Sequence, residues 1–240
     1  MSAVLLGDGL AGLLGLAEGS AALLLSDLPS GETAAEFDCR ADLDALWPAA
    51  WRALKPDGAA VLMAHSFAFA ARVVESQRKF FRYDLVWEKS LAVGFLNART
   101  RPLRAHEFVL VFSRRQSTFN PQHVETGVPI SSIVRNTVGK SENWGLGYRS
   151  RSRAGATDRF PRSVVRFGSL PTRSKARVHP QQKPVDLLRM LVRQYSNPGD
   201  LVVDPYAGSG SALAAAEAEG RQCIGWDISE RFAAAAGGAS

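Results

Sequence analysis

Short apolar runs alternate with amphipathic stretches along most of the chain, which is the pattern of an α/β protein. The apolar runs are rich in Val, Leu, Ile and Phe and are bounded by turn residues, so they predict strands. Besides a short strand at the N-terminus, strands are predicted at residues 22–25, 59–64, 81–88, 107–112, 201–203 and 223–226. Helices are predicted at residues 10–16, 38–54, 67–79, 184–194 and 211–219, a turn at 55–58 and a loop at 91–104.

The regular pattern weakens from residue 113 and returns at residue 179, which predicts an irregular insertion over 113–178. Charge is concentrated there. Residues 131–180 contain eleven Lys or Arg and only two acids, a net charge of +9, whereas the whole chain carries +6. The rest of the chain is therefore slightly acidic. A single basic block in an otherwise slightly acidic chain indicates a polyanionic partner.

The most informative stretch is the end of the strand at 201–203 and the loop that follows. Asp204 closes the strand, and Gly208 and Gly210 permit a tight turn into a helix. Strand, glycine turn and helix form a nucleotide-sized pocket in α/β proteins. An acid at the strand end suits a cationic ligand group better than a triphosphate. Asp227 ends the next strand about 20 residues on, where such folds place a carboxylate for ribose hydroxyls.

Two segments carry a family resemblance: 179–184 (His-Pro-Gln-Gln-Lys-Pro) and 204–210 (Asp-Pro-Tyr-Ala-Gly-Ser-Gly). In this order they resemble the cofactor half of DNA amino-methyltransferases, the N6-adenine and N4-cytosine family, with Tyr206 in place of the usual Phe. The resemblance implies S-adenosylmethionine as cofactor. It also implies a Rossmann-like fold: a mixed, mostly parallel seven-stranded sheet flanked by helices. The cofactor residues it implies are Asp8, His179, Lys183, Asp204, Pro205, Tyr206, Ala207, Gly208, Gly210 and Asp227.

Individual roles follow from the same resemblance. Asp8 is expected near the adenine, and Asp227 at the ribose. Asp204, Ala207 and Gly208 are expected at the methionine end, and Lys183 near the carboxylate of the cofactor.

The catalytic motif of that family, commonly Asp-Pro-Pro-Tyr, corresponds to Asp27-Leu28-Pro29-Ser30 in this chain. An exocyclic amine is a poor nucleophile because its lone pair is delocalised into the ring. The Asp27 carboxylate and the Pro29 carbonyl can accept its hydrogens and so free the lone pair. Ser30 replaces the aromatic residue that stacks on a flipped base, a loss of about 1–3 kcal/mol. Phe37, Phe95 and Trp144 are candidate substitutes.

The motif order implies the permuted arrangement, with the catalytic motif first and the cofactor loop last. We therefore expect a catalytic domain formed by 1–112 and 179–240, with 113–178 as the target-recognition insertion. The partner is then DNA, as a duplex with a flipped target base, and a homodimer is compatible with the sequence. The basic residues assigned to DNA are Arg149, Arg151, Arg153, Arg159, Arg162, Arg166, Arg173 and Lys175.

Asp27 at the first catalytic position favours adenine N6 in this family, since relatives with Ser there favour cytosine N4. Three alternatives stay open. The first is N4-cytosine methylation. The second is a catalytically weak protein that binds DNA and cofactor, because of Ser30. The third is action on RNA, which the same basic block could bind.

The remaining composition narrows the setting. Cys39 and Cys223 form no motif, and we interpret both as small core residues of a protein from a reducing, cytoplasmic compartment. The four histidines lack zinc-type spacing, so no metal site is expected. The Leu-rich N-terminus contains Asp8 and Glu18 and has no Lys or Arg before Arg40, so we expect neither a signal peptide nor a membrane span. Separately, the resemblance to DNA amino-methyltransferases implies a role in restriction-modification.

Overall fold

The structure is a computed structural model that describes residues 2–32, 39–131, 153–168 and 182–230. Its strands are β1 (Ser2–Leu6), β2 (Ala21–Asp27), β3 (Leu54–Ala64), β4 (Phe81–Val93), β5 (Arg104–Phe112), β6 (Val124–Glu125), β7 (Asp158–Arg159), β8 (Val164–Phe167), β9 (Leu201–Asp204) and β10 (Gln222–Asp227). Its α-helices are α1 (Gly9–Gly15), α2 (Leu43–Ala53), α3 (Phe67–Ser76), α4 (Val185–Tyr195) and α5 (Ser211–Ala218). Single 3-10 turns lie at Arg78–Phe80 and Phe95–Asn97.

Eight of the described strands form one sheet, in the order β1-β10-β9-β2-β3-β5-β4-β8. The pairs from β1 to β3 are parallel, β5 is antiparallel to both β3 and β4, and β8 is parallel to β4. This mixed, mostly parallel α/β sheet confirms the predicted fold class. The prediction of seven strands is wrong by one, because the four-residue strand β8 lies in the basic region, where no strand was predicted.

Helices cover both faces of the sheet, as its buried strands require. On one face, α1, α2 and α3 pack over a core that includes a stacked Trp47–Trp51 pair, with ring centroids 5.4 Å apart. On the other face, α4 and α5 pack their apolar sides over the same strands. Between them, β2 is buried from Ala21 to Ser26, so its carboxyl end is held rigidly in the middle of the sheet.

Two local predictions need correction. Residues 55–58 belong to β3 instead of a free turn. Between the pairs Ala21–Leu54 and Leu23–Ala59, β2 advances two residues and β3 five, so these residues bulge within the strand. The loop predicted at 91–104 is shorter, because β4 continues to Val93 and β5 starts at Arg104. Cross-strand pairing with β5 extends β4 beyond its apolar part.

A second compact unit spans Pro121–Arg162, and its strands β6 and β7 pair antiparallel. It is shorter at both ends than the insertion predicted at 113–178. Asn120 is tied to the main unit, since its backbone N–H bonds to Gln194 O at 2.8 Å, and β8 joins the main sheet. Cys223 is buried as expected, but Cys39 is exposed, so its interpretation as a core residue is wrong.

Candidate functional site

The carboxyl ends of β2, β9 and β10 meet at one edge of the sheet because these strands are adjacent and parallel. Each ends in an acid: Asp27, Asp204 and Asp227 respectively. A cavity of about 330 Å³ opens there, within the usual size of small-molecule sites. The sequence-predicted residues among its lining are Asp8, Asp27, Leu28, Pro29, Lys183, Asp204, Pro205, Tyr206, Ala207, Gly208 and Asp227.

The glycine loop after β9 has the backbone that its sequence predicts. Gly208 and Gly210 have φ angles of 50° and 71°, in the left-handed region where residues with a Cβ are strained. Asp227 holds the loop from the next strand. One of its oxygens accepts from Gly208 N at 2.9 Å, and the other accepts from Ser229 N at 2.8 Å. Asp227 therefore shapes the cavity as well as lining it.

Asp204 is a buried acid at the bottom of this loop. Its Oδ1 atom accepts from Ser26 Oγ at 2.6 Å and from Tyr206 N at 3.0 Å. Burial raises the pKa of Asp204 to about 7, although these two hydrogen bonds oppose the change. A cation in the cavity would favour the ionised form of the carboxyl group. The acid is thus suited to a positively charged ligand group.

The first turn of α1 completes the cofactor side of the cavity. Asp8 is the N-cap of α1, and its Oδ1 atom accepts from Ala11 N at 2.8 Å. Next to it, Gly9 lies so close to the loop that a Cβ there would come within 1.9 Å of Pro205 O. Only glycine allows this approach, so α1 and the glycine loop form a narrow cradle. The acids and the cradle together fit S-adenosylmethionine, which has a cationic sulfur and a ribose.

The predicted catalytic motif lies beside the predicted cofactor residues. Asp27 is partly exposed and Leu28 packs in the core. The Pro29 carbonyl accepts from Ala41 N at 3.0 Å, and among the described residues no second donor occupies its other lone pair. Ser30 is only 4% exposed, and its Oγ accepts from Glu32 N at 3.1 Å. Ser30 therefore provides no surface on which a base could stack.

Asp27 belongs to a cluster of four charged side chains. Lys183 Nζ is 2.9 Å from Asp27 Oδ2 and also 2.9 Å from Glu107 Oε2. The other oxygen of Glu107 contacts Lys89. The residues 27, 89, 107 and 183 come from β2, β4, β5 and the segment before α4, and we call them the charge cluster. It contains two ammonium groups and two carboxylates, so its formal charge is balanced.

The pKa shifts follow from this arrangement. Burial would raise the pKa of Glu107, but Lys183 and Lys89 outweigh it and lower that pKa to about 2. Burial opposes the charge of Lys183, yet the carboxylates of Asp27 and Glu107 keep its pKa above the ordinary value. Although the Asp27 side chain is partly exposed, desolvation of its carboxyl group by the surrounding protein raises the pKa of Asp27 despite the attraction of Lys183, with Glu107 adding to the increase. Asp27 is thus a better proton acceptor than an exposed aspartate.

Sequence reasoning missed Glu107 and Lys89, and it placed Lys183 at the cofactor without its contact to Asp27. One signal was available, since Glu107 is a single charge in the apolar strand 107–112 and is 5% exposed in the structure. A charge in such a strand needs a buried partner. Ser26, the donor to Asp204, was also missed, as its hydrogen bond joins residues 178 positions apart.

The predicted DNA-binding residues that the structure describes are divided between the second unit and the main unit. Within the second unit, Arg153 contacts Asp158 and lies over the Phe160 ring at 4.8 Å, while Arg159 donates to Val128 O at 2.7 Å. Arg162 is exposed. In the main unit, Arg166 Nε is 2.7 Å from Glu88 Oε2. The predicted residues His179, Arg149, Arg151, Arg173 and Lys175, and the candidate aromatics Phe37 and Trp144, lie outside the described residues.

A family model described as "DNA methylase", of the N6 and N4 type, matches residues 42–237 of this sequence. The match covers most of the chain and includes the glycine loop, Glu107 and Lys183. The chain belongs to this DNA methylase family. The predicted membership of the DNA amino-methyltransferase family is thereby confirmed.

Individual relatives match parts of this chain. Type II methyltransferase M1.MboII of Moraxella bovis is 28% identical over 172 residues, which are 69% of this chain and 64% of the relative. DNA adenine methyltransferase YhdJ of Escherichia coli is 48% identical over 54 residues, 22% of this chain and 18% of the relative. The chain thus spans less than two thirds of the length of these curated relatives.

Solved structures agree on the fold. The M1.HpyAVI–SAM complex superposes with a TM-score of 0.66 at 17% identity, covering 98% of this chain and 97% of that one. The cytosine-N4-specific PvuII DNA methyltransferase gives 0.68 at 20% identity, covering 98% and 85%. No helix in the described part of this chain is long and apolar enough to cross a membrane.

Proposed function

We propose that this DNA methylase transfers a methyl group from S-adenosylmethionine to the exocyclic N6 amine of adenine in DNA. The observation that carries the proposal is the meeting of the motif Asp27–Ser30 and the glycine loop 204–210 at one sheet edge, with Asp27 and Asp204 lining the same cavity. Adenine is favoured over cytosine by the aspartate at position 27, as in the adenine-directed members that the motif resembles.

Asp204 and Asp227 would hold the methionine and ribose ends of the cofactor, with Asp8 near its adenine. When bound, S-adenosylmethionine would supply the methyl group: the bond from its cationic sulfur to the methyl carbon breaks as the carbon–nitrogen bond forms, and the sulfur is left as a neutral thioether. The protein binds the cation through Asp204, whose ionisation a neighbouring positive charge favours.

Asp27 and Pro29 would orient the amine. Lys183 holds Asp27 Oδ2 at 2.9 Å, so the Oδ1 atom of the same carboxyl group is the natural acceptor for one amine hydrogen. The free lone pair of the Pro29 carbonyl accepts the other hydrogen. Nitrogen then becomes pyramidal, with its lone pair directed at the methyl carbon. After transfer, Asp27 takes the surplus proton, for which its raised pKa suits it.

DNA recognition is assigned in this proposal to the insertion 113–178. The described part contains the exposed Arg162, while Arg153 is engaged with Asp158. A short arginine-rich region favours loose or short sequence specificity, with binding that weakens steeply as salt rises. Methylation mapping on mixed-sequence DNA tests this, and one long, strict recognition site would contradict it.

The test of the catalytic assignment is Asp27→Ala. Methyl transfer from labelled cofactor to unmethylated DNA should fall by about 100-fold or more, because the amine loses its acceptor. Cofactor affinity should stay within about twofold, because the acids expected to hold the cofactor are intact. Asp57→Ala changes an exposed aspartate in the bulge of β3 and is the matched control. Wild-type transfer in Asp27→Ala would show that the catalytic assignment is wrong.

A second candidate is a protein that binds DNA and cofactor without turnover. It is favoured by Ser30, which is buried where the family has a stacking aromatic. It predicts measurable binding of both ligands by the wild-type chain but no labelled product on duplex DNA, single-stranded DNA or RNA.

A further inference from the structure

An apolar projection connects β4 to β5 at the site edge of the sheet. We call residues 91–103 the hairpin tip. Leu91 is 59% exposed, Phe95 81% and Leu96 99%, and Val93 between them is also exposed. Single exposed apolar side chains are normal on a protein surface, but four within six residues form a patch that calls for a partner.

The charge of the hairpin tip indicates the class of partner. Arg99 and Arg101 are exposed on it, and Arg104 follows at the start of β5. The sequence contains no acid between Glu88 and Glu107. Within the described ranges, the guanidinium groups of Arg99 and Arg101 have neither an ion pair nor a hydrogen bond. Cations beside exposed apolar side chains match the phosphates and bases of a nucleic acid.

The hairpin tip has a defined shape at its base. Gly94 opens the turn with a φ of 92°, a left-handed conformation, and the 3-10 turn Phe95–Asn97 follows it directly. Arg104 Nη1 donates to His65 O at 2.7 Å, which anchors the returning strand to the residue after β3. Phe95 and Leu96 therefore project from an anchored hairpin.

The hairpin tip leaves the sheet on the same side as the catalytic motif. Since β5 is antiparallel to both β3 and β4, the carboxyl end of β4 lies at the edge where β2 and β3 end. Lys89, two residues before Leu91, contacts Glu107, and Glu107 shares Lys183 with Asp27. The base of the tip is thus connected to Asp27 through three charged contacts.

We propose that the hairpin tip is a wedge for duplex DNA, an inference that rests on the proposed function. Phe95 and Leu96 enter the base stack beside the target pair and occupy the space that the extruded base leaves. Arg99 and Arg101 bind the flanking phosphates. The insertion 113–178 is assigned to sequence recognition. The wedge is a different segment of the chain, and its role is to open the base pair.

The test is a double variant, Phe95→Ala with Leu96→Ala, assayed on two DNA substrates. In one, the target base is paired. In the other it lies opposite an abasic site, so little extrusion work remains. The variant should lose about tenfold or more in kcat/KM on the paired duplex and less than about twofold on the other, because a wedge serves only to open the pair. Leu14→Ala, an exposed leucine on α1, is the matched control and should change neither rate.

A fluorescent 2-aminopurine at the target position gives a second readout. Binding of wild-type protein should raise its fluorescence as the base leaves the stack, and the double variant should fail to do so while binding the duplex. Unchanged rates on the paired duplex would overturn the wedge, as would an equal loss on both substrates. A change in oligomeric state with unchanged kinetics would assign the tip to a second copy of the chain instead. If wild-type protein methylates neither substrate, the proposed function fails, an outcome distinct from failure of the wedge alone.

Discussion

The charge cluster, which includes Asp27, allows a quantitative prediction about single and paired substitutions. Glu107 lies between two ammonium groups and is almost fully buried. At 2.9 Å and an effective dielectric constant of about 20, one such contact is worth about 6 kcal/mol before desolvation is subtracted. Glu107→Gln leaves two buried ammonium groups facing the carboxylate of Asp27 alone. Because breaking a buried pair strands a charge, the variant should lose about 3–5 kcal/mol of unfolding free energy.

Lys89→Met unbalances the cluster in the opposite direction, since two carboxylates then share Lys183. The double variant restores the balance, with Lys183 against Asp27. It should therefore lose less than the sum of the two single losses, by about 1–3 kcal/mol. Urea unfolding at pH 7 measures all four proteins of the cycle, with equal m-values as the check on two-state behaviour. Additive losses would refute the view that these charges balance one another.

Two further predictions concern the cofactor side. The pKa of Asp204 is raised to about 7, above that of an exposed aspartate. Folding therefore favours the protonated carboxyl group, and the unliganded protein should lose stability as pH rises from about 4 to 7. Affinity for S-adenosylmethionine should rise over pH 6–8, because the ionised carboxylate attracts the cation. Calorimetry should detect proton release on binding, and Asp204→Asn should bind weakly with a flat pH profile. Gly9→Ala directs a Cβ into Pro205 O, so it should lower the free energy of unfolding by about 2 kcal/mol and remove most of the cofactor affinity. Gly15→Ala on the same helix meets nothing within 4 Å and serves as its control.

The strand, glycine turn and helix at 201–218 could be predicted from the sequence because their information is local. Asp204, Gly208 and Gly210 lie within seven residues, and strand, turn and helix follow one another in the chain. The tight turn predicted at Gly208 and Gly210 is present, and both glycines have positive φ angles. The α/β fold was accessible for the same reason, since each buried strand is a continuous apolar run.

The charge cluster could not be predicted in this way. Its contacts join positions 27, 89, 107 and 183, which only the crossover connections and the antiparallel strand β5 bring together. The eighth strand was missed for a related reason. β8 reads Val-Val-Arg-Phe within a basic region, and only pairing with β4 makes it a strand. Long-range pairing, rather than propensity, decided both features.

The central claim is methyl transfer to the amine of a DNA base, and nucleoside analysis of the product tests it most directly. Unmethylated mixed-sequence DNA is incubated with the protein and isotopically labelled S-adenosylmethionine, digested to nucleosides and analysed by mass spectrometry. Labelled N6-methyladenine is the expected product, and it should be lost with Asp27→Ala. Labelled N4-methylcytosine would contradict the choice of adenine, and the absence of any labelled nucleoside would contradict the enzymatic function itself.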